Sequence, residues 1–115
     1  MKANIAAQGF SAMGSQSRLE VLQTLVRAGG AGLSVGAIQN RTGIAASTLA
    51  HHLKFLHSAR LILQEKQGRV ITNKANYEML ESLAGYILQE CCSEDSDFNS
   101  TDDTTGSCSE LAVAS

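Results

Sequence analysis

The chain has 115 residues, 43 % of them hydrophobic, and a formal net charge of −2. This length fits one small domain with a modest core, and such domains often gain stability by dimerising. No apolar run approaches the roughly 20 residues that cross a membrane, and the N-terminus lacks a secretory signal pattern, so we expect a cytoplasmic protein. Three cysteines, an odd number, favour thiols or metal ligands over a disulfide framework.

The charge is divided along the chain. Residues 93–115 hold six acidic residues and no basic one, so residues 1–92 carry nine basic and five acidic residues, a net charge of +4. We therefore expect a mildly basic domain over 1–92, compatible with a nucleic-acid partner. Residues 93–115 form an acidic tail whose polar composition predicts disorder without a ligand.

The first two predicted helices precede a glycine-rich break. Apolar spacing predicts helices over 3–13 and 16–28, with Ser15 as the N-cap of the second. Glycines in 28–32 end the second helix. The residues that keep helical spacing along this helix are Leu19, Leu22, Leu25 and Val26.

A helix-turn-helix follows. Ser34 is positioned to cap a short helix over 35–42, Gly43 ends it, and another helix spans 46–59. Leu49, Leu53 and Leu56 share one face of this last helix.

The opposite face of that helix is polar and suits a DNA major groove. Hydroxyls and an imidazole can reach base edges, and a lysine can meet phosphate. An ordinary solvated surface helix is the alternative. The polar stripe consists of Ser47, His51, Lys54 and Ser58.

Two further elements complete the domain. Strands over 61–66 and 69–73 around Gln67-Gly68 predict a hairpin, with Lys66 and Arg69 flanking its tip. After a helix-turn-helix, such a hairpin is a wing whose basic tip can reach phosphate. A long amphipathic helix over 74–91 leaves spare apolar surface, which favours a dimer interface over a purely monomeric core. Its apolar stripe is predicted to be Tyr77, Leu80, Ala84, Ile87, Leu88 and Cys91.

This arrangement resembles the ArsR/SmtB family of bacterial metal-responsive winged-helix repressors. The likeness covers about residues 10–92. It implies a mainly α fold with a small β-hairpin, a winged helix-turn-helix that is homodimeric through its terminal helices. It also implies a palindromic double-stranded operator that is released when a metal or metalloid binds. The likeness is carried by Ser17-Arg18-Leu19, Leu33-Ser34-Val35, the run from Ser47 to Lys54, Leu56, and the Gln67-Gly68-Arg69 turn.

Members of this family sense through different sites. A Cys-x-Cys pair in the third helix is absent, since Ser34 and Gly36 occupy those positions. The terminal helix contains no histidine for a zinc site. The vicinal pair Cys91-Cys92 resembles that of an arsenic-responsive subgroup, with a third cysteine shortly after.

Thiolates select soft ions, so the expected effector is As(III) or Sb(III), which takes three sulfur ligands. Cys91, Cys92 and Cys108 are the expected metalloid ligands. A two-thiolate site for a methylated arsenical is the alternative. Zinc binding by His51, His52 and His57 is not expected, because their spacing does not bring three imidazoles together on one helix.

The expected function is a dimeric repressor. Ser47, Thr48 and His51 are predicted to contact bases, and Lys54 and Arg69 to hold phosphates. One alternative is a winged-helix repressor that senses redox or sulfur species by cysteine oxidation. Another is a protein-interaction module that ignores DNA. An enzyme is not expected, since no phosphate loop, paired catalytic carboxylates or cysteine–base pattern occurs.

Overall fold

The computed structural model describes residues 1–95, which form five α-helices and a three-stranded antiparallel sheet. No helix within this part of the chain is long and apolar enough to cross a membrane. The predicted disorder of the tail and the predicted ligand Cys108 fall largely or wholly on residues 96–115, outside the described residues. The elements are α1 (Ala3–Met13), α2 (Gln16–Ala28), β1 (Leu33–Ser34), α3 (Val35–Thr42), α4 (Ala46–Ser58), β2 (Ile62–Gln67), β3 (Val70–Ala75) and α5 (Tyr77–Leu88).

The first three helices begin and end where the sequence predicts, and side-chain caps form at the starts of α2 and α3. The Ser15 hydroxyl accepts a hydrogen bond from the Arg18 N–H at 3.4 Å. The Ser34 hydroxyl accepts one from the Ala37 N–H at 3.2 Å. Each satisfies an N–H group that a helix start leaves without a partner.

The buried face of α2 includes only part of the set that keeps helical spacing. Leu22 and Leu25 are buried, but Leu19 and Val26 are each 40 % exposed. Val21 is fully buried in their place. The spacing of apolar residues in the sequence indicates that α2 is a helix. It does not indicate which side of α2 is covered by α3 and α4.

The connection between α3 and α4 is a tight turn. Gly43 adopts a left-handed conformation (φ 75°), and its N–H donates to the Gln39 carbonyl at 2.8 Å. Only Ile44 and Ala45 separate it from α4. This turn lets the buried leucines of α4 (Leu49, Leu53 and Leu56) pack into the core against α2 and α3.

The hairpin turn lies one residue later than predicted. Gln67 pairs with Val70, so Gly68 and Arg69 form the two-residue loop. Gly68 has a φ of 63°, and a positive φ at the first loop position suits glycine. The predicted strand starting at Arg69 is therefore wrong by one residue.

The third strand of the sheet was not predicted from the sequence. β1 pairs antiparallel with β3, placing Leu33 opposite Asn73. Asn73 is fully buried, and its amide nitrogen donates to the Leu33 carbonyl at 3.4 Å. Its amide oxygen accepts from the Gln64 side chain at 2.9 Å, so one buried amide ties the three strands together. A two-residue strand is too short to show a period of two.

The terminal helix is shorter than the predicted 74–91. Lys74 and Ala75 belong to β3, and the Asn76 side chain caps α5 by accepting from the Met79 N–H at 3.3 Å. The helix ends at Leu88, because Gln89 turns to an extended backbone conformation.

The predicted apolar stripe of α5 is not its core face. Leu83 is the buried residue, packed so closely on α1 that a Cβ added to Gly9 would lie 3.0 Å from Leu83 Cδ1. Tyr77 and Ile87, from the predicted stripe, are 38 % and 64 % exposed. The stripe therefore leaves apolar surface uncovered in a single chain.

Candidate nucleic-acid interface and thiol site

The polar face of α4 is presented to solvent. Leu49, Leu53 and Leu56 are buried, and this fixes which side of the helix points away from the core. The predicted DNA contacts on this helix are all exposed: Ser47, Thr48, His51 and Lys54. Such a helix suits readout of a major groove, in which recognition-helix side chains near the N-terminal end contact base edges.

An aromatic and cationic cluster flanks this face. The His51 ring meets the Phe55 ring edge-on at 4.9 Å between centroids. The Arg18 guanidinium carbon lies 4.9 Å from the centroid of the Phe55 ring, within the range of a cation–π contact. Arg18 was not among the site residues predicted from the sequence. Its position in α2 gives no signal that it reaches α4, because that contact depends on how the two helices cross.

The tip of the wing, formed by β2, β3 and the loop between them, carries two basic residues. Arg69 occupies the second loop position, and Lys66 lies one residue before the last pair of the hairpin; both are exposed. Lys74, lower on the hairpin, instead pairs with Glu65 at 3.0 Å. The tip cations are therefore the ones placed to meet a phosphate.

His52 lies on the buried margin of α4. Its Nδ1 is buried and has no hydrogen-bond partner among the described residues. Desolvation by burial lowers the pKa of His52 below 6.5, and the positive charges of Arg18 and His51 lower it further. Burial and the neighbouring positive charges therefore both favour the neutral imidazole.

We expect His52 to make the folded domain less stable in acid. Because its pKa is lower in the folded than in the unfolded state, the unfolded chain binds more protons below pH 6.5. This contribution to stability is complete above that pH and is lost as the pH falls towards the folded-state pKa. Urea unfolding between pH 7.5 and 5 should show a smaller loss of stability in His52→Gln than in the wild type.

Exposed His57 on the same helix provides the matched control, His57→Gln. Identical pH dependence in the wild type and in His52→Gln would contradict the assignment.

The two adjacent cysteines lie beyond α5, in a turn rather than on its apolar stripe. Their Sγ atoms are 3.4 Å apart. Glu90 and Cys92 have left-handed backbone conformations, with φ of 59° and 63°. The prediction that Cys91 continues the helix is therefore wrong, but the turn brings both sulfurs to one place.

Within residues 1–95, no three side chains of His, Cys, Asp or Glu lie together as a metal site. A three-sulfur site therefore needs a ligand from outside this range or from another chain. Cys108, the predicted third ligand, lies outside the described residues.

Comparisons with known proteins bear on this arrangement. A family model described as a helix-turn-helix domain matches residues 13–65. Nodulation protein NolR of Rhizobium meliloti is 28 % identical over 95 residues, 83 % of this chain and 75 % of that protein. The structure of an ArsR-like transcriptional regulator from Rhodococcus sp. RHA1 is 27 % identical and has a TM-score of 0.68 over 79 % of this chain and 82 % of that chain.

A homodimeric winged helix-turn-helix DNA-binding domain from Mycobacterium bovis shares the fold. It is 23 % identical, with a TM-score of 0.59 over 76 % of this chain and 82 % of that chain. The predicted fold class, mainly helical with a small hairpin in a winged helix-turn-helix, is confirmed.

These matches show that the chain is similar to a helix-turn-helix domain, to NolR and to an ArsR-like regulator. In this winged helix-turn-helix fold, α3 and α4 form the helix-turn-helix, and β2 and β3 form the wing. The roles of the individual base, phosphate and metalloid contacts stay predictions.

Proposed function

We propose that this chain is a homodimeric, cytoplasmic repressor that leaves its operator on binding trivalent arsenic or antimony. The observation that carries the DNA-binding part is the exposed polar face of α4, directly opposite its buried leucines. Ser47, Thr48 and His51 contact bases, while Lys54 and Arg69 hold phosphates. In the dimer, two α4 helices enter successive major grooves about 34–36 Å apart.

Dimerisation uses the apolar surface that a single chain leaves open on α5. Ile87 is 64 % exposed, and α5 packs on α1, so both terminal helices border this surface. An exposed large apolar side chain on a terminal helix fits an interface with a second copy of the chain. Because both half-sites must be occupied together, losing the dimer removes the gain in affinity from simultaneous binding.

We expect Ile87→Glu to weaken the dimer and to weaken operator binding at least tenfold. Burying a carboxylate in an apolar interface costs free energy, whereas burying the isoleucine side chain that it replaces is favourable. Sedimentation velocity gives the oligomeric state, and anisotropy with a two-half-site DNA gives the affinity. Ser82→Glu, at an exposed position elsewhere on α5, is the matched control. A dimer unchanged by Ile87→Glu would place the interface elsewhere.

The effector part of the proposal rests on the adjacent cysteines of the reduced protein. Their Sγ atoms, 3.4 Å apart, are close enough for one soft ion to bind both. Cys108 supplies the third sulfur for As(III) or Sb(III), whereas a methylated arsenical needs only the pair. The pair follows α5 by three residues. An ion bound there therefore changes the end of a dimerisation helix, with a coupling of about 1–3 kcal/mol typical of allostery.

The test combines cysteine variants with two readouts. Arsenite binding is measured by equilibrium dialysis of the reduced protein, and operator release by fluorescence anisotropy. The double variant Cys91→Ser plus Cys92→Ser should bind DNA normally but lose both arsenite binding and release. Cys108→Ser should lower arsenite affinity while leaving monomethyl arsenite binding intact. Release of DNA by arsenite from the double variant would refute the site.

A second candidate, redox sensing, draws on the same short sulfur–sulfur distance. Here two cysteine thiols lose two protons and two electrons to a peroxide, which is reduced to water or an alcohol, and a disulfide forms. Peroxide or polysulfide would then release the operator from the reduced protein. Persistence of the DNA complex under peroxide, with release by arsenite, separates the two candidates.

A further inference from the structure

A cavity of about 370 Å³ opens between α1, the start of α2 and the second half of α4. This volume falls within the range of small-molecule sites. Three members of the polar stripe of α4 line it: His51, Lys54 and Ser58. The cavity therefore adjoins the surface proposed to meet DNA, and it is far along the chain from the cysteines.

The lining is cationic on one side. Arg18 and Lys54 contribute two positive charges, and none of the described lining residues is acidic. The neighbouring His52 responds to the same charges: its pKa is lowered first by desolvation and then by Arg18 and His51. An anion in the cavity would find cations not already neutralised by a carboxylate of the lining.

Arg18 is held in a fixed orientation at the cavity wall. Its Nε donates to the Ala12 carbonyl, and an Nη donates to the Ser11 carbonyl at 3.5 Å. Its guanidinium also rests on the Phe55 ring. An arginine has five N–H donors, so donors remain to bind a carboxylate in a charge-assisted pair. Because the side chain is already ordered, it loses little further entropy on binding a ligand.

An apolar surface lies beside these cations, among the polar lining residues Gln8, Ser11 and Ser58. Phe55 is 45 % exposed, and Ala12 and Ala59 form the neighbouring wall. Cations beside an aromatic and aliphatic surface suit a molecule that has an anionic end and a flat apolar body. A simple inorganic anion would leave the apolar part of the cavity unused.

We propose that this cavity binds a small aromatic carboxylate, with the carboxylate on Arg18 and Lys54 and the ring against Phe55. Because His51 and Lys54 also belong to the DNA-facing stripe, an occupied cavity competes with DNA for the same side chains. This gives the regulator a second signal, independent of Cys91 and Cys92. The consequence for DNA rests on the proposed function; ligand binding itself does not.

The test uses sodium benzoate as the probe and neutral benzamide as its control, at constant ionic strength and without DNA. NMR of the full chain follows the His51 imidazole and Phe55 ring signals during each titration. We expect saturable shifts with benzoate and at least tenfold weaker binding of benzamide. Arg18→Gln and Lys54→Gln should each weaken benzoate binding at least fivefold.

Arg27→Gln is the matched control, at the opposite end of α2. Lys54→Gln keeps the test decisive if Arg18→Gln fails to fold. A second arm measures operator anisotropy with benzoate in the Cys91→Ser plus Cys92→Ser variant, where we expect weaker DNA binding.

Equal binding of benzoate and benzamide, or unchanged benzoate affinity in Lys54→Gln, would overturn the proposal. Absence of benzoate binding together with weaker DNA binding by Arg18→Gln would also overturn it, and would assign the cavity to a DNA phosphate. Failure of arsenite to release DNA leaves the benzoate titration unaffected, so the two proposals fail separately.

Discussion

Replacing His51 with alanine is expected to weaken operator binding about 10- to 100-fold and to reduce discrimination between operator and unrelated DNA. A good side-chain contact to a base edge is worth about 1–3 kcal/mol of discrimination. His51 is exposed at the middle of α4, and its ring is oriented by the edge contact with Phe55. Anisotropy titrations with the chain's own promoter and with a scrambled duplex measure both effects.

Two variants on the same helix sharpen this result. Lys54→Ala should weaken binding to both duplexes alike and reduce the salt dependence by about one ion, as loss of a phosphate contact does. His57→Ala, near the helix end, should change neither. A loss of affinity that is the same for operator and scrambled DNA in His51→Ala would contradict its role in base readout.

Replacing Gly32 with alanine is expected to destabilise the domain by about 2–6 kcal/mol. Gly32 has φ 70° and ψ −174°, a backbone region that is essentially limited to glycine and costs other residues about 1–3 kcal/mol. An added Cβ would also lie 2.6 Å from the backbone oxygen of Asn73, and overpacking costs about 1–3 kcal/mol more. The clash falls where β1 joins the sheet, so urea unfolding should show the loss directly.

Two other glycines separate these contributions. Gly29 has a similar backbone (φ 78°, ψ −161°) but open space around its Cβ position, so Gly29→Ala should show the conformational cost alone. Gly36 lies within α3 with open space around it. Gly36→Ala should therefore stabilise the domain by about 0.5–1 kcal/mol. Equal effects of Gly29→Ala and Gly32→Ala would show that the close contact with Asn73 relaxes.

Local chemistry accounts for the parts of this fold that the sequence predicts well. The caps at Ser15 and Ser34 and the left-handed Gly43 fix helix ends through atoms only a few residues away. The leucine spacing of α4 fixes which face is buried, and hence which side chains meet solvent. These signals locate the helix-turn-helix and its polar stripe without knowledge of the packing.

The features that the sequence analysis missed depend on contacts between distant segments. Strand β1 exists because Asn73 bonds to Leu33, 40 positions earlier. The placement of Arg18 on Phe55 depends on how α2 crosses α4. Pattern reading also extended α5 at both ends, because Lys74 and Cys91 fit a helical period that the sheet and the turn after Leu88 interrupt. Tertiary context overrode local periodicity in each case.

The most direct test of the central claim is fluorescence anisotropy of the reduced protein on its own promoter DNA, titrated with As(III) and then with Zn(II). The proposed repressor should bind the DNA tightly, release it when As(III) is added, and stay bound to it when Zn(II) is added. DNA binding that is indifferent to both ions would contradict metalloid sensing at Cys91 and Cys92, and would direct attention to oxidation of the same pair.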